Sequence, residues 1–236
     1  MIMFDLPEAN YFLPSEKENE KIVIVVLGGR PPKQKWLQQL PALQVFCADK
    51  GAEFAINAGR KVAVLVGDED SGNSSFYAQV SAEGGVVQKH PADKDFTDLQ
   101  LLLKEIEKNP CHLLVTGAFG GRLDHLQSNL RSLLAYKKNT QKQVLIADGK
   151  ETLALLFPGE VCVADVKNDN LPKVGVLALA ENSVATMDHV KWPMEKMPLN
   201  LDNPNTLSNR PLDKEMWAQC DSGKIGFYLC FSEADL

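Results

Sequence analysis

The chain has 236 residues, 44% of them hydrophobic and 24% charged, a composition typical of a soluble globular protein with one large or two small domains. Its formal net charge of −6 argues against a general nucleic-acid-binding surface, although it leaves room for a local basic pocket. No apolar run approaches the ~18 residues of a membrane-spanning helix, and residues 1–21 lack the apolar core of a signal peptide. We therefore expect a cytoplasmic protein with no membrane or nucleic-acid partner.

Apolar runs alternate with helical patterns over the first 150 residues. β-branched and apolar runs predict strands at residues 21–27, 45–48, 62–66, 112–116 and 143–147. Leucines and isoleucines at helical spacing predict helices around residues 99–106 and 126–134. This alternation predicts an α/β fold in which residues 1–150 form a domain with an open, mostly parallel sheet.

The pattern changes near residue 150. Short apolar runs at residues 152–157, 161–166, 173–180, 183–187 and 224–231 are separated by turn residues and show no clear helical pattern. Residues 151–236 are therefore predicted to form an all-β domain, a sandwich or barrel, with a long proline-rich loop at residues 193–205. The five cysteines are odd in number and contain no Cys-x-x-Cys pair, which favours buried reduced thiols over a metal site or a disulfide framework.

Polar clusters follow four of the predicted strands. They are Gly28–Gly29–Arg30, Asp49, the segment 67–71 and the segment 117–122. In an open α/β sheet, ligands bind beyond the carboxyl ends of the strands. The four clusters are therefore expected to line one crevice.

The sequence GAFGGRLDH, residues 117–125, joins a predicted strand to a predicted helix. Its three glycines, among them Gly120 and Gly121, let the backbone approach a ligand closely. A helix N-terminus attracts anions, and the planar fork of Arg122 suits phosphate. The simpler interpretations are a surface charge for Arg122, an N-cap for Asp124 and a structural role, rather than a general-base role, for His125.

Two acidic clusters precede this loop. Asp68 and Asp70 lie in one turn and are candidates for holding Mg²⁺ together with substrate phosphates, although an acidic turn is an equally simple interpretation. Asp95 and Asp98 open an amphipathic helix. Capping by Asp95 or Thr97, with Asp98 favoured by the helix dipole, explains that composition without excluding metal ligation.

Other motifs are absent or ambiguous. Neither a Walker A sequence nor a G-x-G-x-x-G motif occurs, so the chain is neither a P-loop nucleoside triphosphatase nor a usual dinucleotide binder. Trp192 with Ser208 and Asn209 offers an aromatic ring and small polar groups that suit a flat heterocycle. Core packing for Trp192 and a turn at Ser208–Asn209 are the interpretations that the residues alone favour.

The order of these motifs resembles that of the thiamine pyrophosphokinase family over residues 22–231. The matching segments are ADKGA at 48–52, GDEDS at 67–71, DKDFTD at 93–98, GAFGGRLDH at 117–125, and KWP and TLSN between 191 and 209. The resemblance implies an N-terminal α/β domain, a C-terminal β-sandwich and a homodimer with active sites at the subunit interface. It also implies transfer of pyrophosphate from ATP to the hydroxyethyl group of thiamine, with Mg²⁺ required and AMP released.

The resemblance also implies roles for individual residues. The acidic metal and catalytic centre would comprise Asp49, Asp68, Asp70 and Asp98, with Asp68, Asp70 and Asp98 holding Mg²⁺. Further matches of the resemblance are Asp95 and Thr97 near the ATP phosphates, Gly120, Gly121 and Arg122 in the nucleotide loop, Arg122 and Asp124 in catalysis, and Ser208, Asn209 and Trp192 on the thiamine side.

The sequence departs from the family pattern at three positions. Lys50 and Glu53 replace a glycine and an asparagine, and Lys94 replaces a glutamine. Lysine binds phosphate as a point charge. Two alternative functions remain, another Mg²⁺-dependent nucleotide phosphohydrolase and a non-catalytic thiamine or nucleotide sensor.

Overall fold

The computed structural model describes residues 1–17, 20–68, 74–91, 95–202 and 206–232. Its internal contacts divide the chain into two units. One comprises Lys21–Asp148, and the other comprises Met1–Glu20 together with Gly149–Leu236.

The first residues form an antiparallel pair of strands. β1 (Ile2–Asp5) pairs with β2 (Ala9–Leu13), and alternate side chains along both strands are buried. This alternation is typical of strands with one face on a core.

The described residues of the unit Lys21–Asp148 form six strands and five helices. The strands follow the order β8-β7-β3-β4-β5-β6, and all five pairings are parallel. The strands are β3 (Ile22–Val26), β4 (Gln44–Ala48), β5 (Val62–Asp68), β6 (Val86–His90), β7 (His112–Thr116) and β8 (Val144–Ala147). The helices are α1 (Gln34–Gln39), α2 (Gly51–Asn57), α3 (Ser74–Ala82), α4 (Asp98–Ile106) and α5 (Leu123–Thr140).

The strand order reverses at β3. The chain runs from β3 through β4 and β5 to β6 at one edge, and β7 then returns to the opposite side of β3. Such a switch opens a crevice at the carboxyl ends of the two strands that diverge from it. The loops after β3 and β7 therefore lie where a ligand of this sheet is expected.

The capping interpretation of residues 95–98 is confirmed for Thr97. The Thr97 hydroxyl accepts the Gln100 N–H, and the Gln100 side chain accepts the Thr97 N–H at 2.9 Å, which forms a capping box. The predicted apolar face of α4 is buried. It consists of Leu99, Leu102, Leu103 and Ile106.

The other unit is built from antiparallel strands. One sheet has the order β1-β2-β10-β14-β12-β13, and β15 pairs with both β9 and β11. The strands beyond residue 148 are β9 (Glu151–Leu156), β10 (Val161–Val166), β11 (Lys173–Ala178), β12 (Ser183–Asp188), β13 (Met194–Leu199), β14 (Glu215–Ser222) and β15 (Ile225–Cys230).

Two sequence-based assignments differ from the structure. Residues 1–20 were expected in the first domain, but β2 pairs with β10, with Phe12 opposite Val163, and so joins these residues to the C-terminal unit. Part of the predicted loop 193–205 is strand β13. Pro198 is tolerated there because β13 is an edge strand, where a missing N–H costs little.

The cysteine prediction is confirmed, since all five cysteines are buried and free. Within the described part of the chain, no helix has both the length and the apolar character that crossing a membrane requires.

Tyr136 attaches α5 to the start of β7. Its buried hydroxyl donates to the Cys111 carbonyl at 2.6 Å and accepts the Cys111 N–H at 3.1 Å. We expect Tyr136→Phe to lower the free energy of unfolding by about 1–3 kcal/mol, because it leaves two buried backbone groups without a partner. Urea unfolding measures this change.

Tyr228→Phe is the matched control. The Tyr228 hydroxyl donates to the half-buried Glu151 carboxylate, which water can solvate in its place. A loss of stability in Tyr136→Phe no larger than that in the control would contradict the prediction.

Candidate functional site

A cleft of about 560 Å³ opens at the carboxyl ends of the parallel strands. This volume is within the usual range of small-molecule sites. Its walls include Gly28 and Gly29 after β3, Asp49 after β4, and Asp68 at the end of β5. They also include residues of the loop 117–122 after β7, which we call the glycine loop. The structure thus brings together members of all four polar clusters that the sequence placed at strand ends.

Three carboxylates converge in this cleft. One side-chain oxygen from each of Asp49, Asp68 and Asp98 lies within 4.8 Å of the others, and all three residues are half-buried. Asp49 and Asp68 follow neighbouring parallel strands, while Asp98 is the first residue of α4. Asp70, the remaining acidic residue of the predicted centre, lies outside the described residues.

The backbone at Asp49 has an uncommon conformation. Its φ of 48° is in the left-handed region, which a non-glycine residue adopts at a cost of about 1–3 kcal/mol. The Asp49 N–H donates to the Val66 carbonyl at 2.9 Å, and the Asp49 carbonyl accepts the Ala52 N–H at 3.2 Å. These two bonds hold the strained turn, and the turn directs the carboxylate to the other two.

The three carboxylates fit a hard divalent cation. Mg²⁺ prefers oxygen ligands and binds through a few carboxylates while substrate phosphates and water complete its coordination. Carboxylates this close together repel one another when all are ionised, and a cation between them removes that repulsion. The donor atoms, their spacing and their partial burial therefore suit Mg²⁺.

The glycine loop forms the opposite wall of the cleft. Gly120 and Gly121 line it with φ values of 66° and 72°, a conformation that other residues adopt only under strain. α5 begins directly after this loop at Leu123, so that its first N–H groups lie near the cleft. The predicted strand, loop and helix start are all present.

Arg122 and Asp124 form an exposed ion pair at the cleft. Arg122 donates from Nε and Nη2 to the two Asp124 oxygens, at 3.1 and 2.6 Å. Arg122 lines the cleft, whereas Asp124 is not among the described residues of its wall. This hydrogen bonding lowers the pKa of Asp124 and raises that of Arg122, so both groups stay charged at neutral pH. The N-cap of α5 is Arg122 rather than Asp124.

The residues around the start of α4 divide into two groups. Thr97 and Asp98 line the cleft, while Asp95 is exposed and absent from its described wall. Thr97 is also the N-cap of α4, so its hydroxyl is already bonded to the Gln100 N–H. Thr97 therefore both caps α4 and lines the cleft.

Arg30 does not line the cleft, although it belongs to the cluster after β3. It donates to Asp148 from Nε at 2.7 Å and from Nη2 at 2.5 Å, and the Asp148 side chain is only 2% exposed. Asp148 follows β8, so this pair of a half-buried arginine and a buried aspartate ties the loop after β3 to the loop after β8.

Sequence reasoning missed part of the cleft wall on α5. Ser128 and Asn129 line it together with His125, which the sequence analysis had considered only for a structural or a general-base role. Their spacing of three and four residues puts them on one face of the helix. That polar stripe, continuing from the glycine loop, was the signal in the sequence.

The predicted thiamine-side residues lie in the other unit. Trp192 is 54% exposed, so the interpretation of core packing was wrong for it. Asn209 is buried, and its side chain accepts the Trp192 N–H at 3.2 Å and donates to the Trp192 carbonyl at 2.7 Å. Ser208 is exposed with a φ of 58°. Asn209 thus fixes the backbone that presents the Trp192 ring.

Comparison with known proteins identifies relatives of the chain. The family model for the catalytic domain of thiamin pyrophosphokinase matches residues 39–146, which include Asp49, Asp68, Asp98 and the glycine loop. Thiamine pyrophosphokinase of Bacillus subtilis is 26% identical over 163 residues, which cover 68% of this chain and 75% of that protein. Thiamine pyrophosphokinase 1 of Oryza sativa is 28% identical over 235 residues, covering 90% of this chain and 88% of that protein.

Solved structures share the fold. The crystal structure of the Bacillus subtilis enzyme aligns with a TM-score of 0.76 at 22% identity, covering 89% of this chain and 99% of that one. Thiamin pyrophosphokinase from Candida albicans aligns with a TM-score of 0.69 at 17% identity, covering 89% and 90%. The matched segment contains the described carboxylates and the glycine loop, and the chain is similar to thiamin pyrophosphokinases in sequence and in fold.

Proposed function

We propose that the chain transfers the pyrophosphate of ATP to the hydroxyethyl group of thiamine, giving thiamine diphosphate and AMP. The observation that carries this proposal is the convergence of Asp49, Asp68 and Asp98 opposite the glycine loop, in a segment that matches the family model for the catalytic domain of thiamin pyrophosphokinase. Transfer of a phosphoryl or pyrophosphoryl group requires carboxylates that hold a metal ion and a backbone that binds the phosphates, and this cleft has groups suited to both tasks.

Asp49, Asp68 and Asp98 would hold Mg²⁺, and the sequence adds Asp70 to this set. When bound, the cation neutralises negative charge on the phosphate oxygens. Through that cation the carboxylates would also position a triphosphate. In this arrangement the thiamine hydroxyl attacks the β-phosphorus, and the bond from that phosphorus to the oxygen shared with the α-phosphorus breaks. AMP leaves with that oxygen, and an aspartate of the cleft accepts the hydroxyl proton.

Arg122 would contact the phosphates from the glycine-loop side. A guanidinium has five N–H donors, and the two bonds to Asp124 leave others available. Asp124 keeps the guanidinium plane in a fixed orientation, which reduces the side-chain entropy lost when phosphate binds. Arg122 therefore stabilises the charge that develops as AMP leaves.

The thiamine side of the proposal rests on Trp192, Ser208 and Asn209. An exposed aromatic ring on a fixed backbone can stack on a flat heterocycle. The finer architecture, with a β-sandwich C-terminal domain for thiamine binding and dimerisation and active sites at a homodimer interface, belongs to the same proposal. A cytoplasmic location stays a prediction.

The test of function is product formation from ATP, Mg²⁺ and thiamine. We expect AMP and thiamine diphosphate in equal amounts, with neither formed when thiamine is omitted. ATP hydrolysis without thiamine would instead favour a phosphohydrolase. Tight thiamine binding without turnover would favour a sensor.

Asp98→Asn tests the acidic cluster. We expect kcat/KM to fall about a hundredfold or more, because charge stabilisation by a bound metal contributes several kcal/mol. The remaining fold should persist, since Asn is accepted at the start of a helix. Steady-state kinetics at saturating Mg²⁺, with circular dichroism as the check of folding, measure the effect.

Asp213→Asn, an exposed substitution that also removes one negative charge, is the control. It should retain the parent activity. If folded Asp98→Asn were as active as Asp213→Asn, the role of the cluster would be wrong.

Asn209→Ala tests how Trp192 is positioned. It removes both bonds to the Trp192 backbone, and we expect the KM for thiamine to rise about tenfold, within the ~1–3 kcal/mol attributed to aromatic stacking on a base. The KM for ATP should stay within about twofold. Trp192→Ala should reproduce the same pattern in steady-state kinetics.

Leu171→Ala provides the comparison for this pair, because Leu171 is another exposed apolar side chain of the same unit. It should change neither KM. Equal effects of Asn209→Ala on both KM values would indicate general destabilisation rather than loss of Trp192 positioning.

A further inference from the structure

Lys50 places a positive charge in the acidic cleft. It directly follows Asp49, is the N-cap residue of α2 and lines the cleft with an exposed side chain. Among the described residues of the cleft wall, Arg122 is the other lysine or arginine side chain. The residue that precedes Lys50, Asp49, carries one of the carboxylates of the proposed metal centre.

The two cations differ in how they are occupied. Arg122 already forms two hydrogen bonds to Asp124. Within the described part of the chain, the Lys50 side chain forms no ion pair or hydrogen bond. Lysine is a strongly hydrated point charge on a flexible stem, so it reaches an anion without a fixed geometry.

The stem of Lys50 starts from a defined position. A Cβ at Gly28 would lie 3.2 Å from the Lys50 Cβ, tighter than an ordinary van der Waals contact. Glycine at position 28 therefore leaves room for Lys50 against the loop after β3. The side chain begins on the wall of the cleft, between that loop and the carboxylates.

The charges of the cleft explain why a lysine without an ion-pair partner would favour the binding of a triphosphate. Asp49, Asp68 and Asp98 together with a divalent cation retain a net negative charge, which opposes the approach of a triphosphate. A lysine beside them offsets part of that repulsion and donates to oxygen. It does so without competing for the metal, because an ammonium has no acceptor.

We propose that Lys50 binds a phosphate oxygen of the nucleotide and thereby sets the affinity of the cleft for ATP. This inference rests on the proposed function. The family pattern has glycine at this position, so the contact lies outside that pattern and adds to the roles of the carboxylates. Its effect should therefore fall on nucleotide affinity much more than on kcat.

The competing role for Lys50 is that of a counter-charge for the carboxylates alone. In that case, removing the charge would tighten the binding of Mg²⁺ to the nucleotide-free protein and leave nucleotide affinity unchanged. The two roles thus move different binding constants.

The experiment compares the full-length parent with Lys50→Met, Lys50→Arg and Lys61→Met. Lys61 is exposed at the start of β5 and absent from the described cleft wall, so its substitution controls for net charge. The probe is the ATP analogue with a methylene bridge between the α- and β-phosphorus, which the proposed reaction cannot cleave. Its Kd is measured by calorimetry with Mg²⁺ present, and Mg²⁺ alone is titrated in parallel.

We expect Lys50→Met to weaken analogue binding about tenfold or more, as for loss of a hydrogen bond to a charged group. Lys50→Arg should recover most of the affinity, Lys61→Met should match the parent, and kcat of Lys50→Met should stay within about threefold. Unchanged analogue affinity in folded Lys50→Met, with or without tighter Mg²⁺ binding, would overturn the role of Lys50 and leave the proposed function standing. A parent protein that does not bind the analogue would overturn both.

Discussion

The cleft depends on a close backbone contact between the loops that follow β3 and β7. A Cβ at Gly29 would lie 2.4 Å from the Gly117 carbonyl oxygen, and a Cβ at Gly117 would lie 2.1 Å from the Leu27 carbonyl oxygen. No side chain fits at either position, and Gly117 also has a φ of 69°. Three backbone hydrogen bonds close the contact: Leu27 to Thr116 at 2.8 Å, Gly29 to Gly117 at 2.8 Å and Arg30 to Phe119 at 2.7 Å. The glycine loop is thereby fixed on one side of the strand-order switch.

The charged side chains around this contact belong to two groups, an ion pair with a buried carboxylate and a cluster of half-buried carboxylates. Arg30 is bound to Asp148, so its charge contributes to holding the loops rather than to the cleft. The cleft is left with three close carboxylates and a strained turn at Asp49. Strain and like-charge repulsion both destabilise the isolated protein, and a bound cation relieves the second of them. An arrangement that costs stability without a ligand is expected at a site selected for binding.

The sequence was informative where one local pattern determined the structure. Apolar β-branched runs predicted β3, β4, β5, β7 and β8, and the leucine spacing predicted α4 and α5. It failed where pairing between distant residues decided the outcome. Residues 1–20 carry no signal for joining residues 149–236, because that assignment depends on β2 meeting β10. For the site, strand ends predicted that Asp49 and the segment with Asp68 lie together, whereas Asp98, at the start of α4, entered the predicted centre through the resemblance to the family. The bonds of Arg30 to Asp148 and of Asn209 to Trp192 join residues 118 and 17 positions apart, which no motif encodes.

Whereas the carboxylate cluster is half-buried, the ion pair of Arg122 and Asp124 is exposed to water. Its side chains are 72% and 62% exposed, and ion pairs in water contribute little to stability. Its value is in orientation, since Asp124 holds the guanidinium plane while other N–H donors stay open. Under the proposed function, a triphosphate in the cleft would displace water, and the same charges would then act at a lower effective dielectric constant and attract phosphate more strongly. The attraction between the glycine-loop side of the cleft and phosphate would therefore increase when the ligand binds. The three carboxylates, in contrast, already lie close together in the ligand-free protein.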